Sequence, residues 1–422
     1  MSAAILDIND SNLQLWDGEQ SFLSPGYALL EGQQYRFGLE ARAVARLRPR
    51  DINSRYWWQL NTEELQPALG PARHTADLVH AHLLDIHEQA GKPQELILAV
   101  SSAMQREQLA LLLGIIEQCP FDAVGLVNRS VALSSLNGRS GRIYHLELQL
   151  QQVVISELKS HNGVVELQAV FPLPDSGLLK LHDRMVEIIG KAFIRQTRFD
   201  PRRKADTEQQ LYDHLPTLLP ALQKNAEYDL DIAGYRARLN RKDLSDAVKP
   251  LLAGITGAIG TPGPDDHVLL DPDAGILPGF AEQFHNIQRL DNRNLPAAIA
   301  QHLDQLVQRD QTLNFITALP ILVPQTENTV ENTVEIKANP ARPVNATHLL
   351  HDGCASPLLV DGTRVDAQCE LHFLDGNWQL RGDGLHSIQV NGVNYSPGQA
   401  LFRGDSLHSA DGYNALLIEV SG

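Results

Sequence analysis

The stretch around residue 100 constrains the fold more than any other part of the sequence. Glu95–Val100, in which every residue after Glu95 is apolar, lies between Pro93 and a pair of serines, which is typical of a strand buried on both faces of a parallel sheet. A helical pattern of leucines and isoleucines follows over residues 104–119, and a second short apolar run covers residues 123–127. A strand, a helix and a strand in this order predict a βαβ unit and an α/β fold.

Further elements are predicted on both sides of this unit. Residues 3–8 and 12–16 have the pattern of a strand and its hairpin partner, and Thr75 is placed to cap a helix over residues 75–89. Two antiparallel strands are predicted over residues 142–158 and 164–170, around a turn at Asn162 and Gly163. The remaining predicted elements are helices over 179–196, 209–222, 241–252 and 278–284, and strands over 228–232 and 268–270.

The composition changes after the first 322 residues, which we predict to form one body. Residues 323–345 are polar and contain a small tandem repeat, so they predict a linker. Residues 346–422 contain short apolar alternations between Gly, Asp and Asn residues, which predicts a small all-β module.

The charge balance limits the classes of partner. With 35 Lys and Arg against 51 Asp and Glu, the formal net charge is −16, which disfavours binding to a phosphate backbone. No apolar run approaches the ~20 residues that span a bilayer. The start of the chain lacks the basic segment of a signal peptide, and the three cysteines have no metal-binding spacing. We therefore expect a cytoplasmic protein whose partner is another protein, with neither nucleic acid nor a membrane span involved.

Two side-chain clusters favour ordinary structural roles. His74, His80, His82 and His87 crowd one predicted helix, but Gly91 stands where a zinc HExxH motif requires its second histidine. Arginines 46, 48, 50 and 55 lie beside two tryptophans, a combination that also occurs in nucleic-acid stacking sites. In so acidic a chain, a local fold contact or a protein interface is the favoured interpretation.

Several segments of the first 290 residues resemble, in their order along the chain, the 70-kDa heat-shock chaperones. The resemblance is carried by residues 35–43 (YRFGLEARA), 96–108, 128–133 (NRSVAL), 153–158 (VVISEL), 238–251 and 268–278. It implies the two-lobed actin-like ATPase fold, which is ribonuclease-H-like. It further implies a deep cleft in which glycine-rich hairpins from both lobes hold ATP and Mg²⁺.

The first phosphate loop of that family, an Asp-Leu-Gly-Thr-Thr motif, is altered here. The leading acid is retained as Asp7, but the glycine is replaced by Asn9, followed by Asp10 and Ser11. Phosphate loops use glycine because the backbone N–H groups must approach phosphate oxygens without an intervening Cβ. Asp10 also adds a negative charge where the resemblance places phosphate.

The other cleft positions are altered as well. The second loop begins with Glu147 and carries Gln149 and Gln151 with no glycine, so we expect residues 147–152 to continue as a plain strand. The third loop brings in two more carboxylates, Asp271 and Asp273, before Gly275. Two further positions have changed residue type, because the catalytic lysine of the family aligns with Arg42 and its water-orienting glutamate with Arg129. The adenosine-side Glu and Lys align with Pro216 and Leu219.

The altered cleft predicts a protein that neither binds nor hydrolyses nucleotide. Gln149, Leu150 and Gln151, together with Asp10 and Asp271, are expected to fill the phosphate pocket. The favoured function is a non-catalytic interaction scaffold with no cofactor. An ATP-binding chaperone-like ATPase using Mg-ATP is one alternative, drawn from the retained acids and Arg42, and a filament-forming actin-like protein is another.

The C-terminal segment is similar to forkhead-associated domains in its order of short strands and turns. Val390, Asn391 and Gly392 followed by Gly404 and Asp405 carry this resemblance. It implies a β-sandwich that binds a partner protein.

Phosphothreonine recognition in that family requires an early Gly-Arg pair and a Ser-x-x-His motif. Here only Arg364 stands in the early region, and Cys369 replaces the serine three residues before His372. We expect a sandwich that no longer binds phosphate. The candidate partner-binding residues are Arg364, His372, Trp378 and Asn391.

Overall fold

The computed structural model divides the chain into two compact units, Met1–Asn328 and Thr329–Gly422. It describes residues 3–137, 141–309 and 312–321, and from residue 346 onward all residues except 352–353, 360–361, 366–368, 375–376, 383–384, 386–387, 391–392, 396–398, 400, 402–404, 410–413 and 419–422. Helix and strand are present in similar shares, 34% and 35%, which confirms the predicted α/β class. The predicted linker over residues 323–345 lies outside the described residues.

The N-terminal unit contains two large sheets with helices. Its elements in chain order are β1 (Ala4–Ile8), β2 (Gln14–Asp17), β3 (Gln20–Leu23), β4 (Ala28–Glu31), β5 (Gln34–Phe37), α1 (Gly38–Arg42), β6 (Ile52–Asn53), α2 (Thr75–Gln89), β7 (Glu95–Val100), α3 (Arg106–Ile116), β8 (Asp122–Asn128), α4 (Arg129–Ser135), β9 (Gly141–Leu148), β10 (Gln152–His161), β11 (Val164–Pro174), α5 (Leu178–Thr197), α6 (Ala205–Lys224), β12 (Glu227–Ile232), β13 (Tyr235–Asn240), α7 (Arg241–Ser245), α8 (Lys249–Ile259), β14 (His267–Leu270), α9 (Pro272–Gly275), β15 (Asn286–Arg289), α10 (Asn294–Gln301), α11 (Leu303–Leu306) and β16 (Ala318–Pro320).

The first sheet has the strand order β3-β2-β1-β7-β8. Strand β7 lies parallel to both β1 and β8, and α3 connects β7 to β8, so the predicted βαβ unit is present. The apolar run that predicted β7 is fully buried from Leu96 to Val100, as a central parallel strand requires. Helices α2 and α3 bury their leucines and isoleucines against this sheet.

The second sheet has the order β15-β14-β9-β10-β11-β16. Strands β9, β10 and β11 are antiparallel neighbours, whereas β14 lies parallel to β9 and β15. One hydrophobic cluster joins this sheet to α5, α6 and α8. Another contains residues of both sheets, including Ile97, Val127, Ile143 and Leu269, together with α4 and α10. The two sheets therefore share a core, and this core fixes the positions of their strand ends relative to each other.

Four predicted local features differ from the structure. The predicted strand over 142–158 is divided by a turn at residues 149–151, because Gln149 N–H donates to the Gln152 carbonyl and closes a hairpin. The helix predicted over 241–252 is interrupted after α7 by a 3₁₀ turn and resumes as α8, with Pro250 in its first turn. Residues 278–284 contain only a 3₁₀ turn, because Gly279 has a positive φ of 72° that no α-helix accommodates. Thr75 does not cap α2, because its hydroxyl donates to the carbonyls of Gln59 and Asn61.

The C-terminal unit consists of β-strands over the described residues. They are β17 (His348–His351), β18 (Cys354–Pro357), β19 (Thr363–Arg364), β20 (Cys369–Leu374), β21 (Asn377–Gly382), β22 (Ile388–Val390), β23 (Val393–Asn394), β24 (Ser406–Ser409) and β25 (Asn414–Ile418). They form a six-stranded sheet, β18-β17-β25-β24-β22-β23, and a three-stranded sheet, β19-β20-β21. A single hydrophobic cluster contains residues from both sheets, including Leu349, Leu371, Trp378 and Leu417.

Candidate functional site

Four strands of the N-terminal unit place polar residues next to one another where they end. Asn9, Arg129, Gln149 and Asp271 follow the last residues of β1, β8, β9 and β14. Strands β1 and β8 both run parallel to β7, and β9 and β14 run parallel to each other, so each pair ends at one edge of its sheet. Ligand sites of α/β folds form at such carboxyl edges, which makes this cluster the candidate functional site.

The guanidinium group of Arg129 lies at the centre of the cluster. Its Nε donates to Asp7 Oδ1 at 2.7 Å, and its Nη1 contacts both carboxylate oxygens of Asp271 at 2.8 and 2.9 Å. Glu147 Oε2 lies 3.8 Å from Nη1. The side chain of Arg129 is only 6% exposed. A positive charge belonging to the chain itself therefore sits among three carboxylates from both sheets.

A histidine and a serine extend the network behind Asp271. His145 Nε2 lies 3.0 Å from Asp271 Oδ1, and its Nδ1 lies 2.8 Å from Ser130 Oγ. The order Ser130–His145–Asp271 has the connectivity of a nucleophile–base–acid triad. However, Ser130 and His145 are 0% exposed, and the Ser130 hydroxyl donates to Ser156 Oγ at 2.9 Å. The arrangement therefore satisfies buried polar groups and leaves no nucleophile accessible to a substrate.

Direct hydrogen bonds join the turns that follow β1, β9 and β14. Asn9 Nδ2 donates to the Leu148 carbonyl at 3.3 Å and to Asp271 Oδ2 at 3.2 Å. The hydroxyl of Ser11 donates to the same Leu148 carbonyl at 2.8 Å and contacts Asp273 Oδ2 at 3.3 Å. The side chains of Asn9 and Ser11 thus bond to the opposite turns, and the three turns close on one another.

The turn over residues 149–151 is also fixed by contacts on both sides. Asp10 Oδ1 accepts a 2.7 Å hydrogen bond from the backbone N–H of Leu150, whose side chain is 1% exposed. The N–H groups of Leu178 and Leu179, at the start of α5, donate to the carbonyls of Gln149 and Leu150 at 2.8 and 3.1 Å. The free N–H groups that begin a helix are suited to anion binding. Here the chain's own carbonyls occupy two of them.

The glutamines of this turn bond to the chain in different directions. Gln149 Nε2 donates to Glu147 Oε1, and Gln149 Oε1 accepts from Gln152 Nε2 at 2.8 Å. Gln151 instead donates to the Ser54 carbonyl at 3.1 Å. Neither side chain is available to a ligand without breaking one of these bonds.

Burial and neighbouring charges shift the pKa values of the carboxyl groups in the cluster in different directions. Burial alone would raise the pKa of Asp271, but the charges of Arg129 and His145 outweigh it and hold this pKa at about 2. Burial raises the pKa of Asp7 and of Glu147, although Arg129 acts in the opposite direction. Burial also raises the pKa of Asp10 to about 7 and that of Asp273 to about 6. At neutral pH Asp271 is the firmly ionised partner of Arg129.

The residues present do not fit Mg-ATP. The cavity beside Arg129 and Asp271 has a volume of about 10 Å³, and the one beside Asp10 and Gln149 has about 40 Å³. About 10–15 Å³ is needed for one water molecule, whereas pockets for drug-sized ligands measure roughly 300–1,000 Å³. Arg129 occupies the space between the three carboxylates, and carboxylates offer no hydrogen-bond donors for phosphate.

The structure brings together most of the predicted nucleotide-site residues. Asp7, Asn9, Asp10, Ser11, Arg129, Glu147, Gln149 and Asp271 belong to the one network described above. Gly275 ends the short helix α9 just beyond it. Arg42 contributes only its charge, which lowers the pKa of Asp273, while its side chain lines a separate cavity, as does Pro216. Leu219 is buried in the core on α6.

Two residues of the network were not identified from the sequence. His145 sits in β9 between buried Tyr144 and Leu146, and nothing in its local pattern distinguishes it from a solvent-facing residue. Ser130 lies inside the segment that carried the chaperone resemblance, but no role of its own was assigned to it from the sequence.

The candidate residues of the C-terminal unit have different surroundings. Trp378 is 4% exposed and donates its indole N–H to the Ala346 carbonyl at 2.9 Å, so it packs in the core. His372 Nε2 lies 3.3 Å from Glu370 Oε2 on the same strand. Arg364 lies in β19 and is exposed. Asn391 lies outside the described residues.

Comparisons with known proteins identify no relative. No family model matches this sequence, and no curated protein matches it. Within the described residues, no helix combines the length and apolarity needed to cross a bilayer. In the same part of the chain, no group of three or more His, Cys, Asp or Glu side chains is arranged to hold a metal ion.

Proposed function

We propose that the N-terminal unit is a non-catalytic relative of the actin-like ATPases of the heat-shock chaperone type. Three features support this proposal. The first feature is the order along the chain of the segments that resemble the chaperones, and the second is the presence of two sheets with a shared core. The third is that acids which the resemblance assigns to the nucleotide cleft, Asp7, Glu147 and Asp271, meet at a single point.

The position of Arg129 is the observation on which the proposal mainly rests. In an active relative, as the resemblance implies, the carboxylates at these strand ends act around a metal ion and phosphates. Here the cation is a guanidinium of the chain, and it bonds to Asp7 and Asp271 at 2.7–2.9 Å. A bound nucleotide would have to displace these charge-assisted bonds, which are worth more than neutral ones, and would place its phosphates beside buried carboxylates.

The loss of nucleotide chemistry leaves protein binding as the favoured role. The net charge of −16 opposes nucleic-acid binding, and the C-terminal unit resembles a family of protein-binding sandwiches. We therefore propose a scaffold in which the C-terminal unit contacts a partner protein. Because Trp378 is buried, the exposed Arg364 and the half-buried His372 are the described residues that best fit this contact.

An ATP turnover assay tests the catalytic half of the proposal. We expect the purified chain to release no phosphate from Mg-ATP above the background of its Asp7→Asn variant. Turnover that Asp7→Asn abolishes would establish a working ATPase and overturn the proposal. The Arg50→Gln variant, altered at an exposed residue, serves as the matched control for purification background.

Co-purification tests the scaffold half. The full chain and a chain ending before residue 346 are compared for proteins retained from the native lysate. We expect a specific partner that is lost with residues 346–422 and weakened by Arg364→Gln. Identical retention by both chains would show that the C-terminal unit does not dock the partner.

A further inference from the structure

A cavity of about 200 Å³ lies in the N-terminal unit, apart from the Arg129 network. One wall comes from Tyr27 just before β4, the end of α1, the loop that follows it and the start of β6, and the other comes from α5 and α6. The lining residues that matter below are Tyr27, Arg42, Ala45, Leu179, His182 and Pro216. None of them belongs to the turns that close the candidate nucleotide site.

Arg42 is a cation in this cavity whose guanidinium makes no direct ion pair with a described residue. Among the described residues, no carboxylate oxygen lies within 4.0 Å of its guanidinium nitrogens, and the guanidinium makes no hydrogen bond. The neighbouring Arg46 differs, because it pairs with Asp183 at 2.7 Å and lies over the ring of Tyr212 at 3.8 Å. A half-buried guanidinium without a partner retains its full capacity for a two-point bond to a carboxylate.

The charged lining residues are Arg42, Arg46 and Asp213, so the lining keeps a net positive charge. Asp213 accepts from Gln209 Nε2 at 2.8 Å, and the remaining groups of Gln209 bond to backbone atoms of Arg42 and Arg46. Burial, followed by the charges of Arg42 and Arg46, lowers the pKa of His182 to about 4, so its ring is neutral at pH 7. Burial raises the pKa of Tyr27 to about 12, so its hydroxyl remains a donor.

The rest of the lining is apolar and small. Ala45, Pro49, Ile52, Leu179 and Pro216 provide aliphatic surface. An apolar cavity of about 150 Å³ can hold one benzene molecule. A volume of about 200 Å³ therefore accommodates one ring, or an aliphatic chain of similar size, together with a single carboxylate group.

We propose that this cavity binds a small organic carboxylate, whose carboxylate group pairs with Arg42 while its ring or short chain lies against Ala45, Leu179 and Pro216. The assignment follows from the guanidinium that makes no direct ion pair, the net positive charge of the lining and the volume. It does not depend on the proposed scaffold function, because no nucleotide and no residue of the C-terminal unit takes part.

Calorimetric titration of the full chain with benzoate tests the proposal, with benzyl alcohol as the uncharged probe of the same shape. We expect benzoate to bind with a dissociation constant of about 1 mM or below, which nine non-hydrogen atoms can supply. Arg42→Gln should weaken binding by about tenfold or more, the size of a lost charged hydrogen bond. The exposed Arg50→Gln should leave binding unchanged.

Ala45→Phe provides a second variant that keeps Arg42 and fills the cavity, and we expect it to abolish benzoate binding. Circular dichroism confirms that each variant is folded. Three results would each overturn the proposal: no benzoate heat in the wild type, equal affinity for benzyl alcohol, or benzoate affinity that survives both Arg42→Gln and Ala45→Phe.

Discussion

Replacing Arg129 with methionine should destabilise the N-terminal unit strongly and in a pH-dependent way. Methionine keeps an unbranched chain but removes the guanidinium that bonds to Asp7 and Asp271 and approaches Glu147. All three carboxyl side chains are 12% exposed or less, so water cannot replace the lost charge. Removing one partner of a buried ion pair costs about 3–5 kcal/mol, and we expect Arg129→Met to fall in this range at pH 8.

The cost should shrink as the pH is lowered. Without Arg129 the pKa values of Asp7, Glu147 and Asp271 all rise, because the charge that favours their ionised forms is gone. These groups then bind protons in the folded variant at a pH where the unfolded chain does not. The variant therefore regains stability relative to wild type between about pH 8 and pH 5.

Urea denaturation at both pH values measures this effect. Tryptophan fluorescence reports mainly on the N-terminal unit, because Trp16, Trp57 and Trp58 belong to it and only Trp378 lies outside. Arg50→Met, at an exposed position, is the control and should cost no more than about 0.5 kcal/mol. A loss for Arg129→Met no larger than this control, at both pH values, would refute the role assigned to Arg129.

Three further substitutions test the closed turns. Asp10→Asn should stabilise the protein at pH 8 and have little effect near pH 4. Burial raises the pKa of Asp10 in the folded chain to about 7, so the wild type loses up to about 4 kcal/mol of stability as the pH rises from 3.8 to 7. Urea denaturation across that pH range measures this loss. Leu150→Ala should cost about 2–5 kcal/mol in the same assay, because Leu150 is 1% exposed; an unchanged midpoint would mean that the turn is open in solution. Gly177→Ala should lower stability by about 1–3 kcal/mol, since a Cβ would meet the backbone of Gln151 and Gln152. A wild-type melting temperature in a thermal scan of Gly177→Ala would contradict this packing.

The βαβ unit could be predicted from the sequence because its signal is local. The run Leu96–Val100 is apolar at consecutive positions, and burial on both faces of a parallel sheet requires that pattern. The same reasoning was wrong for the turn at residues 149–151. Leu148 and Leu150 continue the alternation of β9, but Leu150 packs with Tyr27 and Ala41 in a separate cluster. A periodic pattern indicates that a residue is buried, but it does not indicate which element the residue packs against.

The candidate site shows where local patterns stop being informative. Asp7, Arg129 and Asp271 were each marked by the resemblance, but their pairing spans 122 and 142 residues of sequence, and no local signal encodes it. His145 could not be predicted because both faces of β9 are buried, so alternation along the strand no longer separates core from solvent.

Thermal unfolding with and without millimolar Mg-ATP is the most direct test of a nucleotide site closed by its own side chains. A ligand at 100 times its dissociation constant stabilises the folded state by about 2.7 kcal/mol, which raises the melting temperature of a unit of 328 residues by about 4 °C. A site held by Arg129, Asp7 and Asp271 predicts no change in melting temperature. A nucleotide-dependent rise of several degrees, lost in Asp271→Asn, would show that the cleft opens and binds ATP.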